Sequence, residues 1–186
     1  EDLKDQTYAI SRFGSGSHLM SYVMAHQQGW DTDSLKFNVI GDIYGGLWAL
    51  ENNEAQSFLW EKYTTHPYTE QEKCRRIDEV ITPWPCFVVA VRNEILENHP
   101  EKVKEVLDII NNCTNDFKNI DNIDKTLSVR YEQQLDDIKK WLSITEWNAG
   151  KPITKNLITR IQNKMVGFNV IEEKKNSGDL IKNMYI

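Results

Sequence analysis

The sequence predicts an α/β fold in which a mainly parallel sheet is wrapped in helices, and three observations carry that prediction. Short apolar runs alternate with amphipathic stretches through the first half of the chain. A glycine- and hydroxyl-rich turn, Arg12-Phe13-Gly14-Ser15-Gly16-Ser17-His18, joins the first apolar run to the first amphipathic stretch. Further on, Cys86-Phe87-Val88-Val89-Ala90-Val91 is continuously apolar, as expected of a strand covered on both faces.

The elements follow in order. Residues 7–11 read as the opening strand and 17–28 as a helix, with Gly29 as its C-terminal stop. Residues 36–40 read as the next strand. Residues 43–52 follow as a helix that carries Leu47, Trp48 and Leu50 on or near its buried face. Short strands are expected at 57–60, 76–80 and 86–91. Beyond Glu94 the pattern turns helical. Pro100 opens a helix running to about Lys118, with Val103, Val106, Leu107 and Ile110 at helical spacing. Two more helices are expected at 135–142 and 154–166. The Asn- and Asp-rich stretch 111–125 reads as a loose connection and the charged stretch 172–178 as a mobile tail. Thr82-Pro83-Trp84-Pro85 restricts the backbone at the best candidate for a hinge or lobe boundary.

The bulk numbers narrow the function classes. The 186 residues carry a net charge of −6, with 40% hydrophobic and 27% charged residues, as in an ordinary globular domain. No Lys/Arg-rich stripe offsets that charge, which argues against a nucleic-acid surface. An anion would have to be held by local donors against an unfavourable overall field. Cys74, Cys86 and Cys113 are too few and too scattered for a disulfide framework or a zinc site, and they favour a reducing compartment. No apolar run approaches the length of a membrane span. The opening residues read as the middle of a longer protein. A cytoplasmic setting is favoured, with a periplasmic or secreted one open if a signal peptide has been removed.

The turn is the place to look for function. Gly14 and Gly16 allow a tight turn and close approach of a ligand. The start of the helix supplies unpaired N–H groups and the positive end of a dipole, with two hydroxyls beside them. A small polar or anionic ligand fits that equipment. No Gly-Lys-Ser/Thr follows, and the third glycine of the dinucleotide fingerprint is missing, so neither nucleotide motif is present. A helix capped by Ser15 or Ser17 would explain the same residues with no ligand at all.

At the end of the third strand, Trp60 and Glu61 occupy a sheet edge of the kind that faces ligands in α/β proteins; core packing of Trp60 is the other reading. A lone carboxylate beside aromatics suits an amine or a heterocycle N–H better than acid–base chemistry. His18, Tyr22 and His26 share a helix face, but two histidines eight residues apart do not clasp one metal. No nucleophile–base pair is readable, and Gly-Ser-Gly-Ser is not a hydrolase elbow. No catalytic residue, metal site or cofactor is therefore expected.

The opening Glu1-Asp2-Leu3-Lys4-Asp5-Gln6-Thr7-Tyr8-Ala9-Ile10-Ser11, followed by Gly14-Ser15-Gly16-Ser17-His18, resembles a passage of type II periplasmic-binding-protein domains. The resemblance is to the solute-binding proteins of the sulfonate, nitrate and thiamine-pyrimidine transporter group and their soluble fungal relatives. Gly29-Trp30-Asp31, Leu59-Trp60-Glu61-Lys62-Tyr63-Thr64-Thr65 and Thr82-Pro83-Trp84-Pro85 fit the same pattern. It implies two α/β lobes closing on a small ligand. Residues 1–80 would be the second lobe with its ligand-binding turn, and 81–186 the returning, mostly helical C-terminal part of the first lobe. Gly14 to His18 would carry the ligand's anionic or polar group, Arg12 would supply charge, Trp60 and Glu61 would line the cleft, and Trp84 would stack on the ligand. The implied function is binding of a heterocyclic or anionic metabolite, possibly related to thiamine precursors. An enzyme of thiamine-pyrimidine formation, or a degenerate relative of one, is the alternative, although the cysteine-rich iron motif of that group is absent. The implied partners are the small ligand and either the missing N-terminal segment of the first lobe or a second copy of the chain.

Overall fold

Three parallel strands organise the first part of the chain: β1 (Thr7–Ile10), β2 (Lys36–Val39) and β3 (Ser57–Phe58), in the order β2-β1-β3. The structure is a computed structural model that describes residues 2–148 and 150–184; Glu1, which opens the stretch quoted above, lies outside them. Helix α1 (Gly16–Gln27) joins β1 to β2, and α2 (Ile43–Glu51) joins β2 to β3. Parallel neighbours need such crossovers, because a tight turn cannot return the chain to the same end of the sheet.

Two faces of the sheet are covered by different side chains. Tyr8 and Ile10 point to one face of β1 and Ala9 to the other, by the two-residue strand period. All three are essentially buried, as expected of a central strand. Tyr8 is in register with Phe37, and their rings lie 6.5 Å apart on the face where His18 and Tyr22 of α1 approach Phe37. On the opposite face Ala9, Ala49 and Ala55 form a small core, with Ile40 and Phe58 packed against it. Small residues let α2 lie close to the sheet here. A Cβ at Gly46 would sit 2.7 Å from the Phe58 ring, and one at Gly45 would collide with the Ile40 carbonyl oxygen. Each glycine costs about 1 kcal/mol of helix propensity, and the close approach is what they provide in return.

The chain divides into two compact units, Glu1–Trp84 with Arg160–Lys174, and Pro85–Thr159 with Lys175–Ile186. In the first, α3 (Lys62–Glu70) follows β3. The sequence reading places no helix here; the Glu61 side chain, which accepts from the Thr64 N–H, starts it, and Pro67 is accommodated inside it. The strand expected at 76–80 is absent. Its charges pair locally instead, with Glu79 Oε1 2.6 Å from Lys62 Nζ and 2.9 Å from Arg76 Nη2. The third strand stops at Phe58 rather than residue 60. Trp48 is 53% exposed, whereas Leu47 is buried as expected. The C-terminal residues of this unit include the end of α8 (Lys155–Gly167), followed by buried Phe168, whose ring lies 5.2 Å from His26.

The second unit is helical: α4 (Asn93–Asn98), α5 (Pro100–Asp116), α6 (Ile123–Tyr131) and α7 (Leu135–Ile144), with the first residues of α8. The stretch 111–125 is therefore mostly ordered rather than loose. Thr114 Oγ1 bonds back to the Ile110 carbonyl, and Asn122 takes a left-handed conformation (φ 55°) before α6. Val103, Leu127 and Ile138 are buried, but Val106 stays 52% exposed on the stripe expected to be buried. The strand expected at 86–91 does not form, and Phe87 is fully exposed with φ 62°. A strand needs a neighbour to take its N–H and C=O groups. Among the described residues no strand lies beside this run. Continuous hydrophobicity marks a segment that burial would stabilise; it does not supply the partner.

Replacing Gly45 by Ala is expected to lower stability by about 1–3 kcal/mol through overpacking, despite better helix propensity. Gly167→Ala, where a Cβ meets nothing within 4 Å, should be neutral or slightly stabilising. Urea unfolding followed by circular dichroism separates the two. Equal effects would remove the close α2–sheet approach as the reason for the glycine.

Candidate functional site

Because the three strands are parallel, their C-terminal ends and the starts of the helices after them share one edge of the sheet. The order β2-β1-β3 sends one crossover from β1 to β2 and returns the next past β1 to β3. The connections diverge between β1 and β3, the position where open α/β sheets leave a crevice at the strand ends. Ala9 pairs with Phe58, so two residues further along lie Ser11 and Trp60, on strands spaced about 4.8 Å apart. The topology thus brings the Arg12–His18 turn and Trp60 to the same strand-end region.

Hydroxyls build the turn from the inside. The Ser11 N–H donates to Ser17 Oγ at 3.0 Å, Ser15 Oγ lies 2.9 Å from Ser17 Oγ, and the His18 N–H donates to Ser15 Oγ at 3.3 Å. Ser21 Oγ donates to the Ser17 carbonyl at 2.9 Å. Ser15 and Ser17 are both buried. Their hydroxyls are thus spent on the strand end and the helix start, and Ser15 is the N-cap of α1.

What faces outward is backbone. The N–H groups of Gly16 and Ser17 have no acceptor among the described residues, as the first positions of a helix lack one by geometry. Gly14 takes φ +75°, and a Cβ at Gly14 or Gly16 would meet nothing within 4 Å, so open space lies in front of the turn. Arg12 is exposed on the same turn and has no ion-pair partner among the described residues.

The other helix starts at this edge are already neutralised. Asp42 caps α2 by accepting from the Gly45 N–H at 2.9 Å. Glu61 caps α3, accepting from the Thr64 N–H at 2.8 Å and from Thr64 Oγ1 at 2.6 Å. Helix α1 has a neutral serine cap and no acid in its first turn. Its positive end is left uncompensated, which favours an anion there.

His18 closes the turn. Its Nδ1 accepts from the Gly14 N–H at 3.1 Å, so the neutral ring carries its proton on Nε2. The ring meets Phe13, Tyr22 and Phe37 edge-on at centroid distances of 5.2, 5.1 and 4.7 Å. Burial among them lowers its pKa below the ordinary histidine value. The sequence pattern signals Tyr22 through its four-residue spacing from His18; Phe37 joins the group only through strand register.

Trp60 is 37% exposed and stacks on Phe58 with centroids 5.0 Å apart. Glu61 stands beside it with its carboxylate engaged on α3. Trp84 is half-buried at the end of the segment that Thr82 ties to α1, where Thr82 Oγ1 lies 3.7 Å from Met20 Sδ. Among the described residues no three His, Cys, Asp or Glu side chains gather to hold a metal, and no helix is long and apolar enough to cross a membrane.

Residues 1–80 match the model of a family described as Ca3427-like PBP. The chain also resembles a solved structure of the Candida albicans CA3427 gene product, described as defining a new family with the generic periplasmic binding protein fold. That likeness has a TM-score of 0.80 at 23% identity and covers 92% of this chain but 59% of the other, so this chain spans less than two thirds of its length. Comparison with curated proteins gave no match. Residues 1–80 are thus similar to the Ca3427-like PBP family, and the fold of the chain is similar to the generic periplasmic binding protein fold.

Proposed function

We propose that the first unit binds a small anionic or heterocyclic metabolite at the C-terminal edge of its sheet, and that the protein is a solute-binding protein rather than an enzyme. The observation that carries this reading is the start of α1, where two N–H groups lack a partner among the described residues, the dipole is uncompensated and Gly16 borders open space. Arg12 adds a positive charge, and the exposed part of Trp60 offers a face for a flat ring. Glu61 Oε2 is engaged by Thr64, and its second carboxylate oxygen would accept from a heterocycle N–H. Thiamine-precursor pyrimidines bearing a phosphate combine both features, a ring and an anion. The serine hydroxyls act indirectly, by holding the amides in position.

The working protein buries the apolar run 86–91 and the exposed stripe of α5 against further chain, either the remainder of the first lobe or a second copy. Cys74, Cys86 and Cys113, few and scattered along the sequence, fit a reducing compartment.

Gly16→Pro tests the binding mode. Ser15 already has the extended conformation that precedes proline (φ −77°, ψ 169°), and position 16 is the first of the helix, where proline is tolerated. The variant deletes one amide donor and should leave the thermal midpoint close to wild type. Affinity for sulfate or a pyrimidine phosphate, read by calorimetry, should fall roughly 10- to 100-fold, as expected for one hydrogen bond to a charged group. Unchanged affinity in a folded variant would place the ligand elsewhere.

Ser17→Ala should act on stability first, lowering it by about 1–3 kcal/mol, because it strips the Ser11 N–H of its acceptor. Light scattering checks the covered surface: wild type should self-associate with concentration, and a Phe87→Ser/Val89→Ser double variant should be monomeric. A wild-type chain that stays monomeric at high concentration would rule out association of copies through this run.

A further inference from the structure

We propose that His18 is a proton-operated latch on the β1–α1 turn: neutral, it holds the turn closed through Gly14, and protonated, it releases it. The geometry makes the two states incompatible. Closed, the Gly14 N–H donates to an unprotonated Nδ1. A proton on Nδ1 would set two donors against each other at 3.1 Å, and the bond would be lost.

Three further observations push the same way. Burial of the ring against Phe13, Tyr22 and Phe37 disfavours its charged form. His18 is the third residue of α1, where the dipole opposes a positive charge. Among the described residues no carboxylate pairs with the ring, and burial alone shifts it. On α1, Tyr22 is the titratable side chain in contact with it; Asp33, from the 3₁₀ turn Thr32–Ser34, acts on Tyr22, whose pKa is raised first by burial and then by that charge. On β2, Lys36 precedes Phe37 and alternates to the other face, where its ammonium donates to the Asp5 carbonyl. In the turn, Arg12 is the charged neighbour and its sign also disfavours an imidazolium. Gly14 holds φ +75° with nothing packed where its side chain would be, while the Ser15 N–H donates to the Arg12 carbonyl at 3.2 Å, so loss of the latch bond frees Gly14 itself within a turn whose two ends stay tied.

The sign of the linkage follows. Burial lowers the folded-state pKa of His18 below the ordinary 6.5. Its contribution is then complete above the unfolded value and is lost as pH falls through the folded one. The closed turn is the form present at neutral pH, and mild acid opens it. Gly14 leads through Ser15 into the amides of Gly16 and Ser17, so its release weakens the proposed anion site; that consequence rests on the binding reading, whereas the latch itself does not.

Heteronuclear NMR on the full chain tests the latch without any ligand. The His18 ring should titrate with a midpoint below 6.5, and the Gly14 amide resonance should move with the same midpoint. His26, His66 and His99 serve as internal references. His18→Phe keeps an aromatic ring among Phe13, Tyr22 and Phe37 and should leave the Gly14 amide insensitive to pH over the same range. A His18 midpoint at or above 6.5, or a Gly14 amide that stays still while His18 titrates, would overturn the proposal. Sulfate titrations at pH 7.5 and 5 then separate the two readings. Affinity that falls at pH 5 in wild type and is low at both pH values in His18→Phe, whose ring cannot accept from the Gly14 N–H, supports both, and a working latch with no sulfate binding at either pH leaves the latch standing and defeats the binding site.

Discussion

The serine knot at the end of β1 is the constraint on which the site depends. Ser17 Oγ reaches back to the Ser11 N–H while Ser15 Oγ caps the His18 N–H, and the two hydroxyls touch at 2.9 Å. A parallel strand must hand its chain to a crossover helix, and at that handover several backbone donors lose their partners. Here buried hydroxyls satisfy two of them, Ser11 and His18, from inside the fold. Gly16 and Ser17, at the start of the helix, are left without an acceptor among the described residues, and Gly16 borders open space. The same economy that stabilises the turn decides which amides remain available to a ligand.

Charge distribution reinforces that selection. Three helices start at one edge of the sheet, and each contributes roughly half a positive charge there. Asp42 and Glu61 spend their carboxylates on α2 and α3, whereas α1 has only a neutral serine. A protein with net charge −6 can still present a local anion site, because the field within the first helical turn outweighs more distant, screened charges.

The two units differ in how far they complete themselves. In the first, a central strand is covered on both faces by residues of the same unit, and glycines at 45 and 46 admit the close approach of α2. In the second, Val106, Phe87, Val88 and Val89 remain exposed although the sequence suits them to a core. A segment such as 86–91 has the composition of a buried strand, but its backbone finds no ladder among the described residues.

The sequence by itself determined the local grammar. Alternation of apolar runs with amphipathic stretches located β1, α1, β2, α2, the start of β3, most of α5, and α7 and α8, because periodicity and glycine or proline punctuation are local properties. It also located the turn at residues 12–18. It did not locate α3, whose Pro67 is outweighed by the Glu61 cap, nor α6, which starts inside an Asn- and Asp-rich stretch. Tertiary structure alone decided which groups of the turn face inward. Whether a serine hydroxyl caps, ties or binds depends on what stands opposite it, and Ser17 meets Ser11 only because the strand and helix fold back on each other. Strand register likewise brought Phe37 to His18 from nineteen residues away, and strand order set Trp60 at the same end of the sheet as the turn. Pairing across the sheet is a long-range relation, so no window along the chain contains it.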